Sequence, residues 1–392
     1  MIRKNRLYTP GPTQLLPAAQ LAMAAATMHH RTAEFRALYS KVLADLKTFV
    51  GSKNDVVMFT ASGTGAMEAA VANLTSPGDK VLVVTAGKFG ERWESLAKAY
   101  GCQVDSVRAP YGETVTLEQI KAALKPDHVA LYMQASESST GARHDVEGIG
   151  RLLKGMNTLL VVDAITGLGT TKFDVDGWGI DVIIGGSQKA VMIPPGLAYC
   201  AVSDQAWQRM ESTKNPRYYF DLRKERKNGA KGESSYTPST ALVAALGAAL
   251  DYIREQGGGD LATGRDLLIR NAETAAAMTR AAAQALGLKL FAASSPGAAL
   301  TAITSPEGVD SSDIVKAFRN QFGAVVANGQ GEMKGQLFRI AHLGFYDYLD
   351  TIAIIGALEN VLAGISRKVE LGAGLKAAQQ VYAQSASSKA SA

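Results

Sequence analysis

The 392-residue sequence predicts an α/β fold, with a large, doubly wound, mainly parallel sheet domain followed by a smaller C-terminal α+β domain. Two observations carry this expectation. Between about residues 50 and 210, short apolar runs alternate with segments of helical periodicity. The runs are nearly continuous in apolar residues rather than alternating, as strands covered on both faces require. After residue 210 the texture changes to a loop rich in Arg, Lys, Tyr and Gly, then long alanine-rich helices, then short strands.

In chain order, residues 1–15 read as an extended arm and 17–50 as helical. Strands are expected over 55–60, 80–85, 103–108, 128–134, 158–163, 181–185 and 196–203. Helices fall between most of them, at 64–74, 89–100, 117–124 and 146–156. The loop 214–236 leads into helices over 240–256 and 261–286. Short strands at 289–291, 299–304, 323–327 and 336–340 follow, then a helix around 349–365. The domain boundaries expected are an arm over 1–16, a large domain over 17–255, a small domain over 256–366 and a tail over 367–392. That tail, rich in Ala, Gln and Ser, reads as a solvated helix fading into disorder. No internal repeat is present.

Composition excludes several function classes. The chain is 47% hydrophobic and 20% charged, ordinary for a globular protein with a large core. Its net charge of +5 is spread along the chain, and the densest basic run, Arg223-Lys224-Glu225-Arg226-Lys227, is broken by a glutamate. That argues for a solvated segment over a nucleic-acid surface, while the positive field favours acidic substrates. Two distant cysteines, Cys102 and Cys200, make neither a disulfide framework nor a metal pattern. No secretory signal and no apolar stretch of membrane-spanning length is apparent, so the expected location is cytoplasmic, with no membrane partner.

The residues that carry chemistry sit at strand tips, where open α/β sheets bind ligands. Asp163 ends the apolar run Thr158-Leu159-Leu160-Val161-Val162, and Lys189 closes the small-residue turn Gly185-Gly186-Ser187-Gln188. One strand tip delivering an aspartate and a later one delivering a lysine is what a pyridoxal phosphate (PLP) enzyme requires. The amine forms a Schiff base, and the carboxylate keeps the pyridine nitrogen protonated. Lys189 is otherwise a surface lysine, but its neighbours Ala190, Val191, Met192 and Ile193 give it an apolar setting that lowers an amine's basicity. Asp163 is otherwise a helix cap or an ion-pair partner. Ser62-Gly63-Thr64-Gly65 follows a strand and opens a helix, a place for a phosphate if it is not a simple N-cap.

Three further patterns are weaker alone. Phe89, in Gly87-Lys88-Phe89-Gly90-Glu91-Arg92, offers a face for a pyridine ring or is a buried helix-start aromatic. Glu137-Ser138-Ser139-Thr140-Gly141 supplies hydroxyls near a strand end or is a plain turn. Arg339 is a charge inside the apolar strand Gln336-Leu337-Phe338-Arg339-Ile340; it either clamps a substrate carboxylate or makes an internal ion pair.

With those residues in place, the chain resembles the class V, fold-type I PLP aminotransferases, in particular the alanine–glyoxylate and serine–pyruvate (serine–glyoxylate) group. The resemblance runs from Thr9-Pro10-Gly11-Pro12-Thr13 to about residue 365. Its most specific markers are Gly186-Ser187-Gln188-Lys189 with the following Pro194-Pro195-Gly196, the Glu137–Gly141 run and the Arg339 strand. It implies that Lys189 carries the cofactor and acts as the base, and that Asp163 partners the ring nitrogen. Ser62, Gly63 and Thr64 would line the phosphate with Gln188 beside them. Phe89 would stack on the ring where some members carry Trp, and Ser138 and Ile165 would line the cofactor. Thr237, with Tyr236, would reach the phosphate of a neighbouring subunit, which implies a homodimer with shared sites. Arg339 would bind the substrate carboxylate with Gly11 close by.

The activity implied is transfer of an amino group from a small L-amino acid, alanine or serine, to a 2-keto acid, glyoxylate or pyruvate. The alternatives are another donor (aspartate or an aminophosphonate) or lyase or desulfurase chemistry on the same fold. A desulfurase needs a mobile cysteine, and both cysteines lie in or beside expected strands. A non-catalytic relative is disfavoured because the whole constellation is intact, and a P-loop nucleotide site by the lack of its Gly-x4-Gly-Lys-Ser/Thr pattern.

Overall fold

The computed structural model describes residues 2–25, 28–365 and 368–390, with side chains to residue 385. Strand β1 (Arg6–Tyr8) opens the chain, followed by β2 (Asp55–Phe59), β3 (Lys80–Thr85), β4 (Gln103–Arg108) and β5 (His128–Gln134). A two-residue hairpin, β6 (Ser136–Glu137) and β7 (Ala142–Arg143), comes before β8 (Leu159–Asp163), β9 (Val182–Gly186) and β10 (Ala198–Val202). The last three strands are β11 (Leu300–Thr304), β12 (Ala324–Asn328) and β13 (Leu337–Ala341).

The large sheet has the order β2-β10-β9-β8-β5-β3-β4; β10 runs antiparallel to both neighbours and the other pairings are parallel. Apart from the part-buried edge strand β4, its strands are buried on both faces by α1 (Pro17–Ala24), α2 (Ala33–Val50), α3 (Gly63–Leu74), α4 (Lys88–Ala99), α5 (Leu117–Ala123), α6 (Val146–Leu153), α7 (Asp204–Ser212), α8 (Leu222–Gly229) and α9 (Thr240–Gln256). Two apolar clusters, one on each face, account for the continuous Val, Ile and Leu runs. The doubly wound reading holds.

The smaller unit is a sheet of order β1-β12-β13-β11 packed against α10 (Leu261–Ala285), α11 (Ser311–Ala317), α12 (Tyr348–Gly364) and α13 (Ala373–Ala390), with a third core cluster between. One edge strand is β1, so the N-terminal arm is fastened there, Tyr8 buried and opposite Val326. From β1 the chain crosses to the large unit, where the Leu16 N–H donates to Met192 O at 2.9 Å.

Four segments differ from the sequence reading. The 17–50 region is two helices; the second is capped by Thr32, whose hydroxyl accepts from the Phe35 N–H. Within the 214–236 loop lies α8, because Asp221 caps it through the Arg223 and Lys224 N–H groups and its Arg and Lys residues propagate a helix well. Residues 289–291 meet β11 through a single bridge, Leu290 to Ile303, too little for a strand. The tail does form a helix, α13, but one face is packed rather than solvated. The buried Glu359 accepts from the N–H groups of Gly372 at 2.8 Å and Leu375 at 3.0 Å, and Ala378 is fully buried against the small unit. The disorder expected at the end of the tail falls on 391–392, outside the described residues.

Candidate active site

Side chains from both units converge at the carboxyl ends of β8 and β9. Asp163 is the last residue of β8 and only 5% exposed; the Ile165 N–H donates to its Oδ1 at 2.9 Å, its only hydrogen-bond donor among the described residues. Burial pushes its carboxyl up to about 6, helped by the negative charge of Glu137 and opposed by Lys189 and Arg92. Lys189, 8% exposed, follows the end of β9, and burial lowers its amine to about 8 against the pull of Asp163. Its Nζ donates to Pro10 O, and its own carbonyl accepts from Thr13 Oγ1 at 3.2 Å. The arm therefore lies directly over the lysine. Gly11 permits this: a Cβ there would strike Lys189 Nζ and come within 2.8 Å of its Cε, and its φ of +136° is strained for any other residue.

Ser62 is the N-cap of α3, with extended backbone and no side-chain bond to the helix, so its hydroxyl and the first amides of α3 remain available. Gly63 faces Ile165, whose side chain occupies the space a Cβ would take. Thr64 Oγ1 accepts from Arg92 at 2.9 Å. Gln188 Oε1 is buried without a hydrogen-bond partner among the described residues. Phe89 lies half-buried in the first turn of α4, with the Arg92 guanidinium 4.7 Å from its ring centre.

Arg339, on β13, reaches in from the small unit and is 3% exposed. Its Nε and one terminal nitrogen donate to Asn328 O, at 3.1 Å for Nε, and the other terminal nitrogen donates to Ser138 O at 2.6 Å. No carboxylate lies within ion-pairing distance among the described residues; Glu137 is its nearest electrostatic counterweight, and burial holds its basicity below the usual arginine value. A guanidinium carries five N–H donors, and three are used here. The remaining two sit one on each terminal nitrogen, the fork that matches a carboxylate.

The structure thus groups Lys189, Asp163, Ile165, Gln188, Gly11, Ser62, Gly63, Thr64, Phe89, Ser138 and Arg339. It leaves Tyr236 and Thr237 apart. Tyr236 stacks on Tyr219 with ring centres 5.1 Å apart, and its hydroxyl donates to Tyr218 O at 2.8 Å. With exposed Thr237 it lines a surface cavity of about 250 Å³ shared with His30, Arg31 and Glu233, and a smaller one shared with Phe59, Thr60 and Leu197.

The sequence reading assigned no role to two side chains of this site. Glu137 is fully buried; its carboxylate accepts from the N–H groups of Phe89 at 3.1 Å, Gly90 at 3.3 Å and Ser139 at 3.1 Å, and from Ser139 Oγ at 2.5 Å. It caps α4 from a neighbouring strand tip, and a lone acid inside the Glu137–Gly141 run was the available signal. Arg92 was visible only as the residue one helical turn after Phe89.

Comparison with known proteins gives this arrangement its family. The class V aminotransferase model matches residues 16–335. The chain is 38% identical over 385 residues to the protein named soluble hydrogenase, small subunit, of Synechococcus sp. (strain PCC 6716), covering 96% of this chain and 98% of that one. It is 33% identical over 393 residues to L-aspartate–glyoxylate aminotransferase of Paracoccus denitrificans, covering 98% of each. The solved alanine–glyoxylate aminotransferase from Nostoc sp. has a TM-score of 0.85 at 30% identity, over 92% of this chain and 96% of that one. The chain belongs to the class V aminotransferases, fold-type I transaminases that work with pyridoxal phosphate.

Proposed function

We propose that this transaminase moves the amino group of a small L-amino acid, alanine or serine, to glyoxylate or pyruvate, at the site built around Lys189. The residues present fit the cofactor. The uncapped N-terminus of α3, the unpartnered Gln188 Oε1 and the buried acid Asp163 are polar groups that a phosphorylated pyridine would complete. In this reading Ser62, Gly63, Thr64 and Gln188 hold the phosphate, Phe89 stacks on the ring, and Ser138 and Ile165 line it. Bound through Lys189, pyridoxal phosphate supplies the conjugated system that takes up the electrons of the substrate Cα–H bond.

The chain's own groups do the rest. Asp163 stands ready to hold a proton on a ring nitrogen: burial makes the bare carboxylate costly, and a cationic partner removes that cost. Lys189 Nζ takes the proton from the donor Cα and, in the second half of the cycle, gives one to the Cα of the keto-acid acceptor; its lowered basicity leaves part of the amine neutral near neutral pH. The Pro10 carbonyl and Gly11 roof the lysine, limiting water. Arg339 fixes the α-carboxylate and so orients the Cα–H bond.

The observation that carries the proposal is the buried Arg339 fork, held by two backbone carbonyls with no carboxylate of its own. Aspartate as donor is a second reading, favoured by the Paracoccus relative's name. Desulfurase chemistry is disfavoured because both thiols are buried and raised in pKa, Cys200 to about 12. We place Tyr236 and Thr237 at the phosphate of a second subunit in a homodimer. Support comes from the surface cavity they line with His30, Arg31 and Glu233, and from the neighbouring Tyr218, 78% exposed. Two buried free cysteines accord with a reducing, cytoplasmic location. No helix among the described residues is long and apolar enough to cross a membrane.

The test is to record the absorbance of purified protein and add L-alanine, L-serine and L-aspartate separately. The visible cofactor band should bleach with one donor and return with glyoxylate. A band that alanine and serine leave untouched refutes the proposed donors, and the absence of any band after adding cofactor refutes the site.

A further inference from the structure

The reading of the α3 N-terminus as a phosphate cradle leaves an electrostatic deficit. A phosphate ester brings up to two negative charges, whereas a helix N-terminus offers the equivalent of about half a positive charge. The residue before Lys189 is Gln188, which is neutral, and no lysine or arginine lies in 60–66. Arg92 is close. Its guanidinium donates to Thr64 Oγ1 at 2.9 Å, makes no ion pair among the described residues, and is near enough to Asp163 and Lys189 to lower the pKa of both. It reaches Thr64 from α4 across the Phe89 ring, 4.7 Å from the ring centre, which fixes its direction.

The hydrogen bond to Thr64 has a polarity that matters. A threonine hydroxyl has one proton and two lone pairs. Here a lone pair accepts from Arg92, and because Thr64 is at the second position of α3 its proton is free to point past the helix end.

We propose that Arg92 is the cationic member of the cofactor's phosphate site. It acts through Thr64, holding that hydroxyl as a donor to the phosphate and adding a full positive charge to the partial charge of α3. This makes it a positioning residue, distinct from the residues that touch the reacting atoms. The inference rests on the cofactor reading given above and adds to it a specific ionic partner. It separates two roles open to Arg92: bracing Phe89 from behind affects any pyridine ring, whereas serving the phosphate affects only phosphorylated ligands.

The experiment titrates cofactor-free full-length protein with pyridoxal phosphate and with pyridoxal, following absorbance, for wild type, Arg92→Gln and Thr64→Val. Arg92→Gln should weaken pyridoxal phosphate binding about tenfold or more, in line with loss of one charge-assisted interaction, and leave pyridoxal within about twofold of wild type. Thr64→Val should show the same phosphate-specific loss, smaller in size. Equal weakening of both ligands assigns Arg92 to the ring alone and overturns the proposal, as does no change in either. If Arg92→Gln fails to fold, judged by circular dichroism, Arg92→Lys and Thr64→Val decide: phosphate-specific weakening in Thr64→Val, with smaller loss in Arg92→Lys, supports it, and its absence overturns it. Wild-type protein that binds neither ligand sinks the cofactor reading itself, an outcome distinct from the others.

Discussion

Replacing Arg339 by methionine tests the substrate reading most directly. The guanidinium is 3% exposed, and three of its five donors are committed to the carbonyls of Asn328 and Ser138. The two that remain would each make a charged hydrogen bond to a carboxylate, worth about 1.5–3 kcal/mol. Together they give about 3–6 kcal/mol, or roughly two to four decades in kcat/KM at about 1.4 kcal/mol per decade. Arg339→Met is therefore expected to lower kcat/KM for the amino donor by about 10²–10⁴-fold.

The substitution also leaves two carbonyls without their donor, so loss of activity alone is ambiguous. The decisive assay compares L-alanine with ethylamine, its analogue lacking the carboxylate, in the absorbance half-reaction. Wild type should prefer alanine by the factor just derived, and in Arg339→Met that preference should collapse towards unity. Arg339→Lys, which keeps charge but not the fork, should fall between them. If Arg339→Met still prefers alanine by the wild-type factor, the carboxylate is bound elsewhere and the reasoning fails.

Lys189→Ala should abolish turnover while retaining measurable cofactor affinity; full activity in this variant refutes its assignment. Gly11→Ala places a methyl against the Lys189 amine on a backbone with φ of +136°, so it should cut activity at least about tenfold with little change in the rest of the fold. Steady-state rates and circular dichroism check this together. For cofactor-free protein, burial lowers the Lys189 amine from 10.5 to about 8, so between those values the unfolded chain holds more protons and stability rises with pH, by about 3 kcal/mol in all. Lys189→Met removes this dependence: the stability gap between it and wild type, measured by denaturant titration, should narrow from pH 7.5 to pH 10, and a constant gap contradicts the burial argument. Asn73 is fully buried, donates to Ala69 O at 2.8 Å and Phe220 O at 2.6 Å, and accepts from the Leu222 N–H at 3.2 Å. Asn73→Ala should lower the denaturation midpoint, by about 2–4 kcal/mol of stability, without altering substrate preference.

Legibility in the sequence followed the physics of each element. Strands β2, β3, β5 and β8 to β10 announce themselves because both faces are buried, so side chains of one type run nearly without interruption; β4, at the sheet edge, is only part-buried. Asp163 and Lys189 stand out because polar residues closing such runs lie at the ligand-binding edge. What remained hidden has no residue-level mark. Pro10 O, Asn328 O and Ser138 O are backbone groups, present at every position and selected only by folding. Helix α8 was obscured because its inward face is small: Leu222 and Glu225 are its buried residues, too few to set up a periodic stripe. The docking of α13 depends on Glu359, a buried acid in the middle of a largely apolar helix whose other acid, Asp350, lies in its first turn.

The course of the N-terminal arm has a consequence for how the molecule is made. Its strand pairs Arg6 with Ala324 and Tyr8 with Val326, so the first strand to leave the ribosome waits for nearly the last one before it can join a sheet. Until then the segment carrying Pro10 and Gly11 is held over Lys189 from its C-terminal side alone, by Thr13 on the Lys189 carbonyl and Leu16 on that of Met192. A nascent chain can complete the large sheet while the arm over its lysine is fastened at one end only, and the arrival of β12 fastens the other. Cofactor capture during synthesis is therefore least obstructed just before the chain is finished, and a bulky fusion ahead of β1 acts on the last step of maturation rather than the first.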